Sequence, residues 1–370
     1  MLAFLIGAVL RYSESKHYDF ASAFHIPTYL FLSLVVAMFL GLTNSVDDII
    51  RDRPVLLRER NLNVRIGYYL LAKAITLGLF AVAQCALFTL IGDWMVSIRG
   101  LYWVEFTAMF LTAFSGISLG LMISSLAREG KTAVNIIPVV LIPQIILGGA
   151  LIKYEEMNRN LDFIHAIHEW FDRHPGTAME PRSDLQVPMI CEFMPMRWSY
   201  EGIVFAQAKL NPLAIRQSRI QRQIYQLAAI KKPTDAQEDR LDDLKDLLAI
   251  LSGLEARDPS DLDKRMARID RVIAGAPLKR QEIVGNAEGV TAEQLYTNQK
   301  VLDLVSKAEM EQADYRDNRH PNVFFGPVKQ YLGISVPLLW FNSAVMIMSS
   351  WSLFVILFFI LRRQIRDTRT

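Results

Sequence analysis

The chain has 370 residues, of which 52% are hydrophobic and 21% charged, and its formal net charge is +2. So small a charge, with Lys and Arg gathered on no single binding segment, argues against a nucleic-acid partner. The averages hide two materials: residues 1 to 152 and 331 to 361 are dominated by Leu, Ile, Val, Phe, Ala and Met, whereas 153 to 330 carry most of the charge, so the first suits lipid and the second water.

A spanning helix needs about 20 apolar residues. Met1 to Leu10 is shorter and lacks both the basic leader and the small-residue cleavage site of a signal peptide. It reads as the outer half of a truncated helix. Five runs are long enough to cross: Ile26 to Asn44, Ile66 to Ile91, Tyr102 to Leu126, Ala133 to Ile152 and Val336 to Leu361. The fold expected is an all-α integral membrane protein of six transmembrane helices, the first one truncated, with a large helical extracytoplasmic insertion between helices five and six.

Basic residues orient the helices, because short cytoplasmic loops are enriched in Arg and Lys. Arg51, Arg53, Arg58, Arg60 and Arg65 follow the second helix; Arg128 and Lys131 follow the fourth; Arg362, Arg363, Arg366 and Arg369 form the tail. With six helices all three segments fall on the cytoplasmic side, which leaves 92–101 and 153–330 outside. Tyr102, Trp103, Tyr331 and Trp340 then sit near the outer ends, where amphipathic rings favour the headgroup zone.

Residues 153–204 read as an interfacial or re-entrant segment, with an amphipathic stretch at Phe163 to Phe171 and a Pro-rich crossing at Pro175 to Pro195. Residues 205–330 read as soluble helices. Leu241, Leu244, Leu248 and Leu251 repeat at three-then-four spacing, and Ile215, Ile220, Ile224 and Leu227 follow Pro212. These spacings predict two helices with one buried stripe each, packed as a hairpin about Lys231 to Thr234. Weaker patterns cover Leu262 to Ile273 and Ala292 to Ala313. Residues 331–370 supply the sixth helix and the basic tail.

Few residues suggest chemistry. Gly130, Lys131 and Thr132 echo the end of a phosphate loop, but position 125, where its first glycine belongs, is Ser125 and a helix precedes the triplet. A cytoplasmic turn explains it better. His165, His168 and His174 with Glu169 form the one histidine cluster, without a cysteine ligand or a metalloprotease order. An interfacial amphipathic helix is the simpler reading, and neither a metal nor a catalytic residue is assigned. Glu105, near the outer end of its helix, is expected to face water or Arg99. Cys85 in an apolar run and Cys191 in the polar half lie in different compartments, so no disulfide framework is expected. With no glycosylation sequon either, a bacterial inner membrane is the expected location.

The loop Asp47 to Tyr69 alternates acids and arginines before the next membrane helix. It suits either a solvated positive-inside loop or an amphipathic coupling helix over 47–65, docking on a cytoplasmic partner through Leu56, Leu57 and Leu62. Its Arg58-Glu59-Arg60, followed by Gly67 to Lys73 (GYYLLAK), forms one motif; Asn135 to Leu151 (NIIPVVLIPQIILGGAL) forms a second; Pro195 to Gly202 (PMRWSYEG) forms a third. In this order they resemble the permease domain of type-2 ABC exporters, particularly the G subfamily. The resemblance covers about 1–205 and 325–370.

The resemblance implies a permease that pairs with a second copy and takes force from an ABC ATP-binding domain, fused upstream or separate, which would carry the ATP and Mg. No cofactor is expected on this chain. Coupling would run through Leu56, Leu57, Arg58, Glu59, Arg60 and Leu62. The second and fifth helices would line the path through Phe31, Met38, Phe39, Thr43, Asn135, Val139 and Ile146. The third motif contributes Pro195, Arg197, Trp198, Glu201 and Gly202. A mostly apolar path with a few polar groups favours a lipid-like or amphipathic cargo. The long insertion departs from the family and suggests either a contact with a periplasmic partner or, as a different function, a membrane scaffold without transport.

Overall fold

The computed structural model describes residues 1–10, 25–58, 65–96, 98, 100–152, 154, 157, 187–230, 234–252, 259–279, 283, 299–314, 323–331 and 334–367. The helices in chain order are α1 (Leu2–Leu10), α2 (His25–Ser45), α3 (Asp48–Arg58), α4 (Ile66–Val96), α5 (Tyr102–Leu126), α6 (Gly130–Leu147), α7 (Met189–Glu192), α8 (Pro195–Lys209), α9 (Pro212–Ala228), α10 (Asp235–Ser252), α11 (Pro259–Ile273) and α12 (Gln299–Asp314). A hairpin of β1 (Val328–Tyr331) and β2 (Ile334–Pro337) leads into α13 (Leu338–Asp367).

Among the described residues five helical spans are long and apolar enough to cross a membrane: Ile26–Leu56, Ile66–Val96, Tyr102–Leu126, Gly130–Leu147 and Leu338–Gln364. The chain is an all-α, multi-pass membrane protein. At nine residues α1 is too short to be counted with them. Three boundaries differ from expectation. Helix α4 continues past Ile91 and takes in Trp94. Helix α6 stops at Leu147, because Gly149 turns the chain at φ 80°, a left-handed conformation that favours glycine. Val336 lies in β2, facing Lys329 across the antiparallel pair, rather than opening the last helix.

The chain divides into two units. One comprises Leu30–Leu90, Trp103–Val204 and Val305–Thr370. Its axis is the contact of α2 with α5. A Cβ added at Gly116 would lie 2.6 Å from the Met38 carbonyl oxygen, and Gly41 meets the backbone of Ala113 in the same way. Backbones this close require small residues, and Gly116 with Gly120, one turn apart, supply the small-xxx-small pattern of packed membrane helices. Polar pairs tie further elements to α5. Thr112 Oγ1 donates to Ser199 Oγ of α8 at 2.6 Å, and Ser115 Oγ lies 2.9 Å from Ser350 Oγ of α13.

The other unit comprises Met1–Tyr29, Ile91–Tyr102 and Phe205–Leu304. Asn211 Oδ1 caps α9 by accepting the Ala214 N–H at 2.7 Å, and Pro212 occupies the first helical position, where a missing N–H costs nothing. Helices α9 and α10 form the expected hairpin, and α11 packs on α9. Their core holds Ile220, Leu244, Leu247, Leu251, Met266, Ile269 and Val272. Of the leucine stripe read from spacing, Leu244 and Leu251 are buried, whereas Leu241 and Leu248 are half-buried. Arg216 grips Asp270 with two nitrogens, at 3.0 and 2.7 Å. Arg240 donates to the Val272 and Ile273 carbonyls, closing the carbonyl end of α11.

Candidate functional site: a clamped helix and a buried ion cluster

Helix α3 is held by an exchange of caps with α5. The first N–H groups of a helix and its last carbonyls have no partner within it. Here Ser124 Oγ, near the end of α5, accepts the N–H groups of Ile49 and Ile50 at 3.0 and 3.1 Å. In return Arg53 Nη2 donates to the carbonyls of Ala127 and Ser125 at 2.9 and 3.1 Å. A cation among helix-terminal carbonyls also meets the negative end of the helix dipole. Helix α4 joins through Lys73, whose Nζ lies 3.0 Å from Asp48 Oδ2 and 2.7 Å from Asp52 Oδ2, while the Tyr69 hydroxyl donates to Asp52 at 3.0 Å. Gln364 of α13 donates to the Ser125 carbonyl at 3.0 Å.

These contacts bring the Arg-rich segment, the Arg128–Lys131 turn and the start of the basic tail to one end of this unit. They also orient α3. Arg51, Pro54, Val55 and Arg58, spaced by three and four residues, are exposed, whereas Leu56 is half-buried. Among the described side chains, the outward face of α3 is centred on Pro54 and Val55. Glu59, Arg60 and Leu62, and the side chain of Leu57, lie outside the described residues, as do His165, His168, His174, Glu169 and Arg99. Glu105, expected to face water or Arg99, is fully buried, so the water-facing alternative fails. It sits in the first turn of α5 on the face that also buries Met109 and Thr112. Cys85 and Cys191 are both buried thiols.

The PMRWSYEG motif builds a second site in the same unit. Pro195 opens α8, and Arg197 and Glu201, one turn apart, face inward with Arg197 Nη2 3.6 Å from Glu201 Oε2. The Arg197 guanidinium also lies 3.7 Å from the Trp198 ring centroid, within cation–π range. Lys329 of β1 places Nζ 2.7 Å from Glu201 Oε1 and 2.6 Å from the Val323 carbonyl. The Phe325 N–H donates to the same carboxylate oxygen at 2.8 Å, from a backbone held at φ 62°. Asn342 of α13 donates Nδ2 to the Trp198 carbonyl at 2.9 Å and to Glu201 Oε2 at 3.3 Å. A Cβ added at Gly202 would meet Asn342 and Leu339 at 3.6 Å, so this position lies against α13.

Burial by itself would raise the Glu201 carboxyl, but Lys329 and Arg197, with the Lys329 and Phe325 hydrogen bonds, outweigh it and hold the group below its ordinary value. Burial pushes Lys329 down, and the attraction of Glu201 only partly offsets it. The cluster is an ionic lock between α8, the segment 323–331 and α13. Sequence reasoning found Arg197, Trp198 and Glu201 through their motif. It missed Lys329 and Asn342, whose one local signal is a polar side chain within an otherwise apolar stretch.

The seven residues expected along a path divide. Phe31 and Met38, seven apart, share a face of α2 and are buried, with Phe31 edge-on to Tyr200 at 5.7 Å. Phe39 and Thr43 are exposed on a face turned by about 100°. Asn135, Val139 and Ile146 share one exposed face of α6. Buried Phe31 and Met38 therefore pack within the chain, and the remaining five face outward.

No curated protein and no solved structure matches the chain. Residues 1–168, which include α1 to α6 and the whole capped arrangement of α3, match the model of the ABC-2 type transporter family, so this part of the chain is similar to the permease component of an ABC transporter.

Proposed function

We propose that the chain is the permease of an ATP-driven exporter resembling the G subfamily, one of two permease copies in a dimer of a bacterial inner membrane. It moves a lipid-like or amphipathic substrate outward by alternating access. ATP and Mg belong to a partner ATP-binding domain, and no catalysis takes place on this chain. The observation that carries the reading is the clamp on α3. A short amphipathic helix, tied by ion pairs to α4 and by exchanged caps to α5, turns a push on its outer face into movement of two membrane helices.

The docking surface for the ATPase is then Arg51, Pro54, Val55 and Arg58, which suits an acidic groove with an apolar floor. The outward faces of α2 and α6, with Phe39, Thr43, Asn135, Val139 and Ile146, are the surfaces on which a second copy could close a path. Apolar side chains among them favour an apolar cargo.

The test is reconstitution of the chain with its ATP-binding partner in vesicles. Transport of a fluorescent lipid should be coupled to ATP hydrolysis, and Val55→Asp should uncouple the two while the protein remains folded. Undiminished coupling in Val55→Asp would refute this role for α3.

The helical module around Ile220, Leu244 and Ile269 has its own core. This favours, as a second reading, a scaffold that recruits an envelope partner. Full transport by a chain lacking that module would dispose of it as the main function.

A further inference from the structure

A cavity of about 590 Å³ lies between α5, α8 and α13, with walls mainly of carbon and all within one unit. Among its lining residues, Trp103 and Trp340 are about three-quarters exposed and Ile347 more than half exposed, so the cavity is continuous with the outer surface of the membrane helices. Trp103 and Trp340 stand in the first turns of α5 and α13, where indoles belong to the headgroup level of a bilayer. Leu111, also in the lining, follows Trp103 by eight residues along α5, and Ile347 follows Trp340 by seven along α13, about 10–12 Å in each case. The cavity therefore runs from headgroup level into the hydrocarbon of one leaflet, which is about 15 Å deep.

The polar side chains of its inner walls have already spent their hydrogens. The hydroxyls of Thr107 and Ser343 donate to carbonyls of their own helices, those of Trp103 and Leu339, at 2.7 and 2.8 Å. Ser199 Oγ accepts from Thr112 at 2.6 Å and donates to Met346 Sδ at 3.7 Å. Asn342 Nδ2 is held by the Trp198 carbonyl and the Glu201 carboxylate, and its Oδ1 is closed even to water. Among the described residues no charged side chain lines the cavity. A buried water makes about three hydrogen bonds, and these walls offer it no donor. An empty cavity of this size would forfeit the dispersion contacts of its wall atoms. The remaining occupant is an apolar body, and at this depth the abundant one is the tail of a bilayer lipid.

Helix α8 separates this cavity from the ion cluster. It turns Trp198, Ser199, Gly202 and Ile203 to the cavity and Arg197 and Glu201 to the cluster, on faces about 150° apart. We propose that the cavity is a lipid site that holds one acyl chain of a phospholipid, with the headgroup at the level of Trp103 and Trp340. Hydrocarbon then covers α8 on the side away from its buried charges. With no charged side chain in the lining, the site recognises the chain and not the headgroup. The site goes beyond the transport reading: this lipid is a resident of the fold rather than cargo, and its binding needs neither ATP nor an ATP-binding partner.

The test uses the full chain, stripped of lipid in detergent, and native mass spectrometry to count bound molecules. The probes are dioleoylphosphatidylcholine, dioleoylphosphatidylglycerol and dihexanoylphosphatidylcholine. One molecule of either dioleoyl lipid should stay with each chain, and none of the short-chain lipid, whose tails are too short to fill the cavity. Ala108→Phe from α5 and Ser343→Phe from α13 each place a ring in the cavity and should abolish retention. Undiminished retention in a folded variant of either kind would mean lipid bound elsewhere on the surface and would overturn the proposal. So would equal retention of dihexanoylphosphatidylcholine. Retention of the phosphatidylglycerol alone would reveal a headgroup site and overturn it as well. Should both Phe variants fail to fold, the comparison of chain lengths and headgroups decides the matter.

Discussion

Lys329 Nζ and Glu201 Oε1 are 2.7 Å apart, with both side chains fully buried, although the residues are 128 positions apart in the chain. Taking two charges out of water costs nearly as much as their attraction returns, but removing one partner strands the other. Lys329→Met should therefore destabilise the protein by about 3–5 kcal/mol, seen as a lowered midpoint of thermal unfolding in detergent. Combining it with Glu201→Leu should recover a large part of the loss. A double variant as unstable as the single one would show that the pair does more than neutralise itself.

The same carboxylate predicts an acid dependence. Glu201 in the folded protein lies below its ordinary value of 4.5, so between the folded pKa and 4.5 the unfolded chain binds more protons, and stability rises with pH. Its contribution is complete above 4.5 and is lost as pH falls through the folded value. Thermal midpoints measured from pH 7 downward should drop more steeply below 4.5 for the wild type than for Glu201→Gln. Parallel curves would contradict the assignment.

The exchange of caps between α3 and α5 predicts unequal effects from two substitutions. Ser124→Ala removes the acceptor for two N–H groups and should cost about 1–2 kcal/mol, as lost helix caps do. Arg53→Ala strips the donor from the carbonyls of Ser125 and Ala127 and should cost about 1.5–3 kcal/mol, since hydrogen bonds from a charged group are the stronger kind. In vesicles with the ATP-binding partner, both variants should lower transport per ATP hydrolysed more than they lower hydrolysis itself. Proportional losses would point to a purely structural role.

Gly116 tests the close approach of α2 to α5. A side chain there must displace the Met38 backbone, and overpacking of a tight contact typically costs about 1–3 kcal/mol. Gly116→Ala should lower the unfolding midpoint, and Gly116→Leu should lower it further or prevent membrane insertion of a folded protein. A Leu variant with wild-type stability would mean that the two helices can part without penalty.

Length, hydropathy and spacing alone determined the membrane class, the positions of the five spans and the hairpin of α9 and α10, because each of these depends on contacts or periods within a few residues of chain. The basic segments likewise announced that they share a side, since Arg placement is itself a local record of topology. The resemblance put Phe31, Met38, Phe39 and Thr43 on one path, whereas the structure buries the first two and exposes the other two. Which face is covered depended on where α5 and α8 came to rest, and no period encodes that. Only the tertiary structure brought Lys329 to Glu201, gave Ser124 and Arg53 their partners in α3 and α5, and buried Glu105. Hydrophobic periodicity reports that a side chain is buried, whereas a charge or a cap is settled by a particular atom that the folded chain delivers from far along its length.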